Sequence, residues 1–143
     1  MKRIFVCSPY RDADPDQVET NREIARGICR YALACGFAPF APHLLYTQFT
    51  DEADLRERER GIAAGLDFLH GCEELWVWQD PTDGMAMRLT EGMEREVSRA
   101  MDMGIPVYPI FLFTGDSAPM YFVERNFKPG GPSDWSWGYR RAN

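Results

Sequence analysis

The sequence predicts an α/β fold, a doubly wound and mainly parallel sheet of about four or five strands. Two observations carry that expectation. Short apolar runs alternate with longer stretches of helical periodicity in the order β-α-β-α-β-α-β. The length, 143 residues, suits one domain, because a chain of this size buries roughly two thirds of its unfolded surface.

Arg3-Ile4-Phe5-Val6-Cys7 is short and apolar and reads as a buried first strand. Asp14-Pro15-Asp16-Gln17 then starts a helix: Asp14 caps, Pro15 suits the first helical position and Gln17 completes a capping box. Val18, Ala25, Ile28, Ala32 and Cys35 recur at helical spacing, and Gly36 ends the helix. Residues 37–42 form a second strand and its exit. The helix between the two strands makes them a parallel pair.

A second helix is expected to start at a cap on Thr50 or Asp51 and to stop at Gly71. Its charge run, residues 51–60, reads as a solvated face laced by ion pairs. Residues 73–78 form the third strand, with Trp76 and Trp78 as core. Asp80-Pro81-Thr82-Asp83-Gly84 is a turn-rich loop. Residues 90–103 form the third helix and residues 105–113 the fourth strand. The chain accordingly divides into an α/β domain at 1–113 and an extension at 114–143. Trp135, Trp137 and Tyr139 make the extension too aromatic for a flexible linker, so it packs on the domain or on a neighbouring subunit.

A net charge of −6 argues against a protein that coats nucleic acid, yet it leaves room for a small anionic ligand. The four cysteines show no metal-binding spacing, so no metal is expected and the thiols read as buried in a reducing compartment. No run of residues approaches a membrane span, and the N-terminus enters a strand directly. A cytoplasmic protein without a membrane partner follows as the expectation.

Parallel strands end at one sheet edge, where open α/β sheets bind ligands. Three polar loops, residues 8–11, 42–46 and 80–90, converge there. They bring Ser8, Tyr10, Arg11 and His43 together with the start of the third helix. Gly92 allows close approach to the helix-start amides, and Thr90 caps that helix or donates to a phosphate. Met93, Val97 and Ala100 define the helix's inward stripe, and Glu96 borders it. A carboxylate in that position is either partnered or working, because burying an isolated charge is costly. Glu91 is explained by the helix dipole, and His70 by the last carbonyls of its own helix.

Five motifs occur in order: Cys7-Ser8-Pro9-Tyr10-Arg11, Ala41-Pro42-His43-Leu44, Cys72-Glu73-Glu74-Leu75-Trp76-Val77, Glu91-Gly92-Met93-Glu94-Arg95-Glu96 and Gly104-Ile105-Pro106-Val107. Over residues 3 to about 112 the chain resembles the nucleoside 2-deoxyribosyltransferase-like superfamily, and within it an uncharacterised bacterial and phage branch. The resemblance implies a flavodoxin/Rossmann-like fold, a homo-oligomer, no cofactor, and cleavage or transfer at the N-glycosidic bond of a nucleoside or nucleoside monophosphate. By that resemblance Glu96 is the nucleophile, Thr90 and Arg11 hold a 5′-phosphate, and a covalent glycosyl-enzyme forms. The pattern departs at two positions. Gly65 stands where active transferases carry an aspartate, and Glu94 where a second glycine falls. Tyr10 or His43 then becomes the proton source. Two alternatives follow from the departures and the tail: a non-catalytic nucleotide-binding module, or an interaction protein acting through its C-terminal extension.

Overall fold

The computed structural model describes residues 1–80, 88–116, 118–126 and 140–141. Five strands, β1 (Arg3–Cys7), β2 (Ala38–Phe40), β3 (Glu74–Gln79), β5 (Val107–Phe113) and β6 (Met120–Val123), form one sheet in the order β2-β1-β3-β5-β6. The first four are parallel, and β6 runs antiparallel to β5 at the edge. A second, two-stranded parallel pair joins β4 (Arg88–Leu89) to β7 (Arg140–Arg141). Residues 81–84 of the expected turn-rich loop, and Trp135, Trp137 and Tyr139, lie outside the described residues.

The period of two along each strand splits the core into two layers. Phe5, Cys7, Leu75, Val77 and Val107 face α4 (Glu91–Asp102), where they meet Met93, Val97 and Ala100. Ile4, Val6, Trp76 and Ile110 face α1 (Pro15–Ala34), where they meet Ala25, Ile28 and Ala32. Helices therefore cover both faces, as a doubly wound sheet requires.

α1 starts as its sequence implies. The Asp14 side chain accepts from the Asp16 amide at 2.9 Å, Pro15 is the first helical residue, and Gly36 beyond the C-cap has φ +85. Gln17 does not close a capping box; its amide donates instead to Asn21 Oδ1 at 3.0 Å. The second long helix, α3 (Leu55–Phe68), begins later than Thr50 or Asp51. Residues 42–48 already form a short helix, α2 (Pro42–Leu45), and a 3-10 turn, Tyr46–Gln48. Thr50 Oγ1 is spent on the Tyr46 carbonyl at 3.0 Å, and Asp51 accepts from the Ala53 amide at 2.9 Å. Asp54 is left to cap α3, accepting from the amides of Arg56 and Glu57. A local turn thus outcompeted the earlier cap. A 3-10 turn, Leu69–Gly71, closes the far end of α3.

After Thr114 the chain returns to the sheet as β6, and two contacts fix it there. Tyr121 stacks on Tyr31 of α1 with centroids 5.1 Å apart, and its hydroxyl occupies the space left by the missing side chain of Gly27. Arg125 lies over the rings of Phe37, Trp76 and Tyr108, at 5.7, 5.9 and 5.1 Å, and donates to Glu74 at 3.0 Å. Glu74 also accepts from Trp76 Nε1 at 2.9 Å and pairs with Lys2 at 3.5 Å. Burial alone would raise this carboxyl's pKa. The Arg125 and Trp76 hydrogen bonds and the two positive charges outweigh burial and hold it below the ordinary value. Gly27→Val is expected to cost about 1–3 kcal/mol, because the Tyr121 phenol must give up its place. Urea unfolding followed by circular dichroism measures that loss.

Candidate active site

The strand order reverses between β1 and β3: from β1 the chain crosses to β2 on one side, and from β3 to β5 on the other. Such a switch point leaves a crevice outside the carboxyl ends of the strands. A cavity of about 300 Å3 lies there, at the lower end of the range for small-molecule sites. The loop after β1 contributes Tyr10 and Arg11, α2 contributes His43, and the start of α4 contributes Thr90, Gly92 and Glu96.

Glu96 is 8% exposed and lines this cavity. Its Oε2 has no hydrogen-bond partner among the described residues. Burial pushes its pKa up to about 8, against a weaker downward pull from the Cys7 thiol and the Arg95 charge. Cys7, beneath it on β1, is fully buried and donates to the Met93 carbonyl at 3.7 Å. Burial and the neighbouring Glu96 push the thiol's own pKa well above the usual cysteine range. Glu74, the other buried glutamate, contrasts with Glu96: it has three partners and lies outside the cavity lining.

Tyr10 and His43 form a flat pair on the cavity wall, with rings 4.9 Å apart and 14° from parallel. Burial pulls the imidazole down to about 4, opposed by its hydrogen bond to the Ser8 backbone and aided by the Arg58 charge. His43 is therefore neutral at pH 7. Arg22 of α1 donates to the Tyr10 hydroxyl at 3.2 Å and lies 5.7 Å from its ring centre. Asn21, 4% exposed, donates to the Tyr10 carbonyl at 3.0 Å. Sequence reasoning missed both residues. A signal existed for Asn21, which falls three after Val18 and four before Ala25, a polar residue on an apolar stripe like Glu96. Nothing local marks Arg22, whose partner lies in another loop.

Thr90 caps α4, its Oγ1 accepting from the Met93 amide at 3.2 Å, and so keeps its own hydroxyl proton to donate. A Cβ placed on Gly92 would meet only Thr90 Oγ1, 4.0 Å away, so the protein itself does not need a glycine there. Arg11 stands exposed on the cavity rim, while Arg95 pairs with Glu59 of α3 at 3.7 Å. Ser8 is fully buried and does not line the cavity; its Oγ has no partner among the described residues, and its backbone holds His43. Gly65 lines the cavity, and a Cβ there would stand 3.0 Å from the Pro42 ring, so α3 and α2 approach closely and a side chain would require that ring to give way by a few tenths of an ångström. Asp67, the nearest carboxylate in sequence, is exposed and lies off the cavity lining.

This sheet order and this crevice define an α/β protein with a doubly wound, Rossmann-like sheet and a small-molecule-sized cavity at its switch point. The fold is similar to that of a 2-deoxyribosyltransferase from the psychrotolerant bacterium Bacillus psychrosaccharolyticus, with a TM-score of 0.57 and 13% identity over 75% of this chain and 70% of that one. A 2-deoxyribosyltransferase from Leishmania mexicana is a more distant match, with a TM-score of 0.46 and 18% identity over 80% of this chain and 67% of that one. At these identities the likeness is one of fold. No curated protein matches the sequence. The chain belongs to the family described as domain of unknown function DUF7768, which matches residues 2–110. Among the described residues no helix is long and apolar enough to cross a membrane.

Proposed function

We propose that this protein cleaves or transfers the N-glycosidic bond of a nucleoside or nucleoside monophosphate, with Glu96 as nucleophile. One observation carries the reading: a carboxylate buried at the wall of a ligand-sized cavity keeps an oxygen without a partner among the described residues. A structural carboxylate would be satisfied, as Glu74 is. In the first step a Glu96 oxygen bonds to C1′, the C1′–N bond breaks, and its electron pair leaves with the base. Tyr10 supplies the proton. Its oxygen accepts from Arg22, which leaves its own O–H free to donate. Neutral His43 backs the Tyr10 ring. Water or a second base then attacks C1′, gives its proton back to the Tyr10 oxygen, and breaks the C1′–Glu96 bond so that the carboxylate is released. The four cysteines are unpaired, and a reducing cytoplasm suits them; the expectation that all are buried holds for Cys7 and Cys72 but not for half-buried Cys29 or exposed Cys35.

The test is incubation with common deoxynucleosides and their 5′-monophosphates, with free base followed by chromatography. Absence of release from every substrate sinks the enzymatic reading. Arg11, Thr90 and Gly92 form the end of the site suited to a phosphate, at a helix N-terminus. Arg11→Ala is expected to raise KM for the monophosphate about tenfold and to leave the nucleoside nearly unchanged, since a charge-assisted hydrogen bond is worth about 1.5–3 kcal/mol at most here. Equal effects on both substrates would remove Arg11 from the phosphate end.

A second reading, a nucleotide-binding module without chemistry, is favoured by Gly65. The close approach of Pro42 crowds that position, and the glycine there offers no leaving-group carboxylate. Clear nucleotide binding by calorimetry, without base release, selects it.

A further inference from the structure

We propose that Glu52 and Arg58 form the base-recognition end of the cavity and select guanine. The Glu52 carboxylate accepts from the base's N1–H and 2-amino groups, and the Arg58 guanidinium donates to its O6. The inference rests on the reading of a nucleoside or nucleotide as substrate, and it names the base.

Glu52 stands in the loop before α3, and Arg58 in the first turn of that helix. Arg58, Ile62 and Leu66 recur at helical spacing, so one face of α3 lines the cavity, and Glu52 lines it with them. Thr50 Oγ1 donates to Glu52 Oε1 at 3.1 Å and so fixes the carboxylate. Glu52 Oε2 lies 4.0 Å from Arg58 Nε, too far for a hydrogen bond. Among the described residues the Arg58 guanidinium has no hydrogen-bond partner. The two side chains are 38% and 26% exposed, so both charges are partly withdrawn from water. A loose ion pair of this kind adds little to stability. What it supplies is an open acceptor beside an open donor, held too far apart to satisfy each other and facing a ligand-sized space.

A planar base suits the remaining lining. Ile62 and Leu66 give its ring an apolar side, and the Tyr10–His43 pair gives it a flat wall. The order of groups along the base's edge then decides which one fits. Guanine presents an acceptor, O6, followed by two adjacent donors, N1–H and the 2-amino group. A guanidinium beside a carboxylate presents the complement, a donor followed by two acceptors. Adenine and cytosine place a single amino donor beside an acceptor, which leaves one carboxylate oxygen facing a lone pair. Thymine and uracil flank their one N–H with carbonyls, which sets an oxygen against the carboxylate.

The experiment is a calorimetric titration of the full-length Glu96→Gln protein, which leaves the glycosidic bond intact. The ligands are the 5′-monophosphates of deoxyguanosine, deoxyinosine, deoxyadenosine, deoxycytidine and thymidine. The guanine nucleotide is expected to bind about tenfold tighter than the hypoxanthine one, which lacks the 2-amino group, and tighter still than the other three. Adding Glu52→Gln is expected to remove most of the preference for guanine over hypoxanthine. Adding Arg58→Met is expected to weaken both of these by the same factor, about tenfold, and to leave the adenine nucleotide, which has no O6, unchanged. Equal affinity for all five, no binding of any, or a guanine preference undiminished in Glu52→Gln overturns the proposal. Should guanine be selected as stated while the wild-type protein releases base from no substrate, the glycosidase reading fails and the guanine site stands. Base release by the wild type from all five alike has the reverse meaning.

Discussion

Glu96→Gln is expected to abolish base release, by at least ~10^3-fold, while making the protein more stable at neutral pH. The first effect follows from removing the proposed nucleophile, because an amide oxygen does not attack a sugar carbon at a useful rate. The second follows from linkage. Below pH 4.5, the ordinary value for a glutamate, folded and unfolded chains both hold the proton and the group contributes no pH dependence. As pH rises from there to about 8, the unfolded chain ionises while the folded chain keeps its proton, so stability falls through that window. Glutamine does not titrate, and its variant escapes the loss. The gain at pH 7 is on the order of 3 kcal/mol, all but vanishing near pH 4. Urea midpoints of both proteins at pH 4 and pH 7 measure it. A variant that loses activity and stability together would mean that Glu96 holds the fold, and the nucleophile assignment would go with it.

The second large effect is in the pH profile. Only an ionised Glu96 can attack, and its carboxyl ionises at about 8. Activity is therefore expected to rise close to tenfold per pH unit below that value, or roughly 50-fold between pH 6 and pH 8. His43 ionises at about 4 and stays neutral across this range, so it adds no opposing limb. kcat/KM for base release against pH reports the free protein and is the right measurement. A profile that is flat, or highest at acid pH, would show that the neutral carboxyl is the working form. The direction of the effect comes from burial, and it can be checked independently. Substituting Leu66, which lines the same cavity, with a polar residue of similar size should admit water and shift the limb to lower pH.

Much of the site was legible from spacing. Met93, Val97 and Ala100 lie on the buried face of α4, and Glu96 lies beside them, because the helix period alone sets which residues share a face. Thr90 and Gly92 were legible as a cap and an opening for the same local reason. The loops after β1 and β2 meet at the cavity because parallel strands end on one edge. Ser8 was placed correctly at that edge, yet spacing alone could not tell that it turns away from the cavity into the core. The start of α3 was displaced from Thr50 or Asp51 to Asp54, because three neighbouring polar side chains compete for the same few amides and only the packed turn decides among them.

Local order along the chain fixes the alternation of strands and helices, the buried stripe of each helix, and the acid Glu96 that borders the stripe of α4. These depend on residues within one or two turns of each other. Tertiary structure alone decided the rest. It set Cys7 beneath Glu96, brought Arg22 onto Tyr10, and pressed Gly65 against Pro42. It also gave Glu74 its partner Arg125 from beyond the fourth parallel strand and left Glu96 with an open oxygen. The physical reason is desolvation. Whether a buried carboxylate is quiet or reactive depends on which distant donors reach it once water is gone, and no local pattern encodes that.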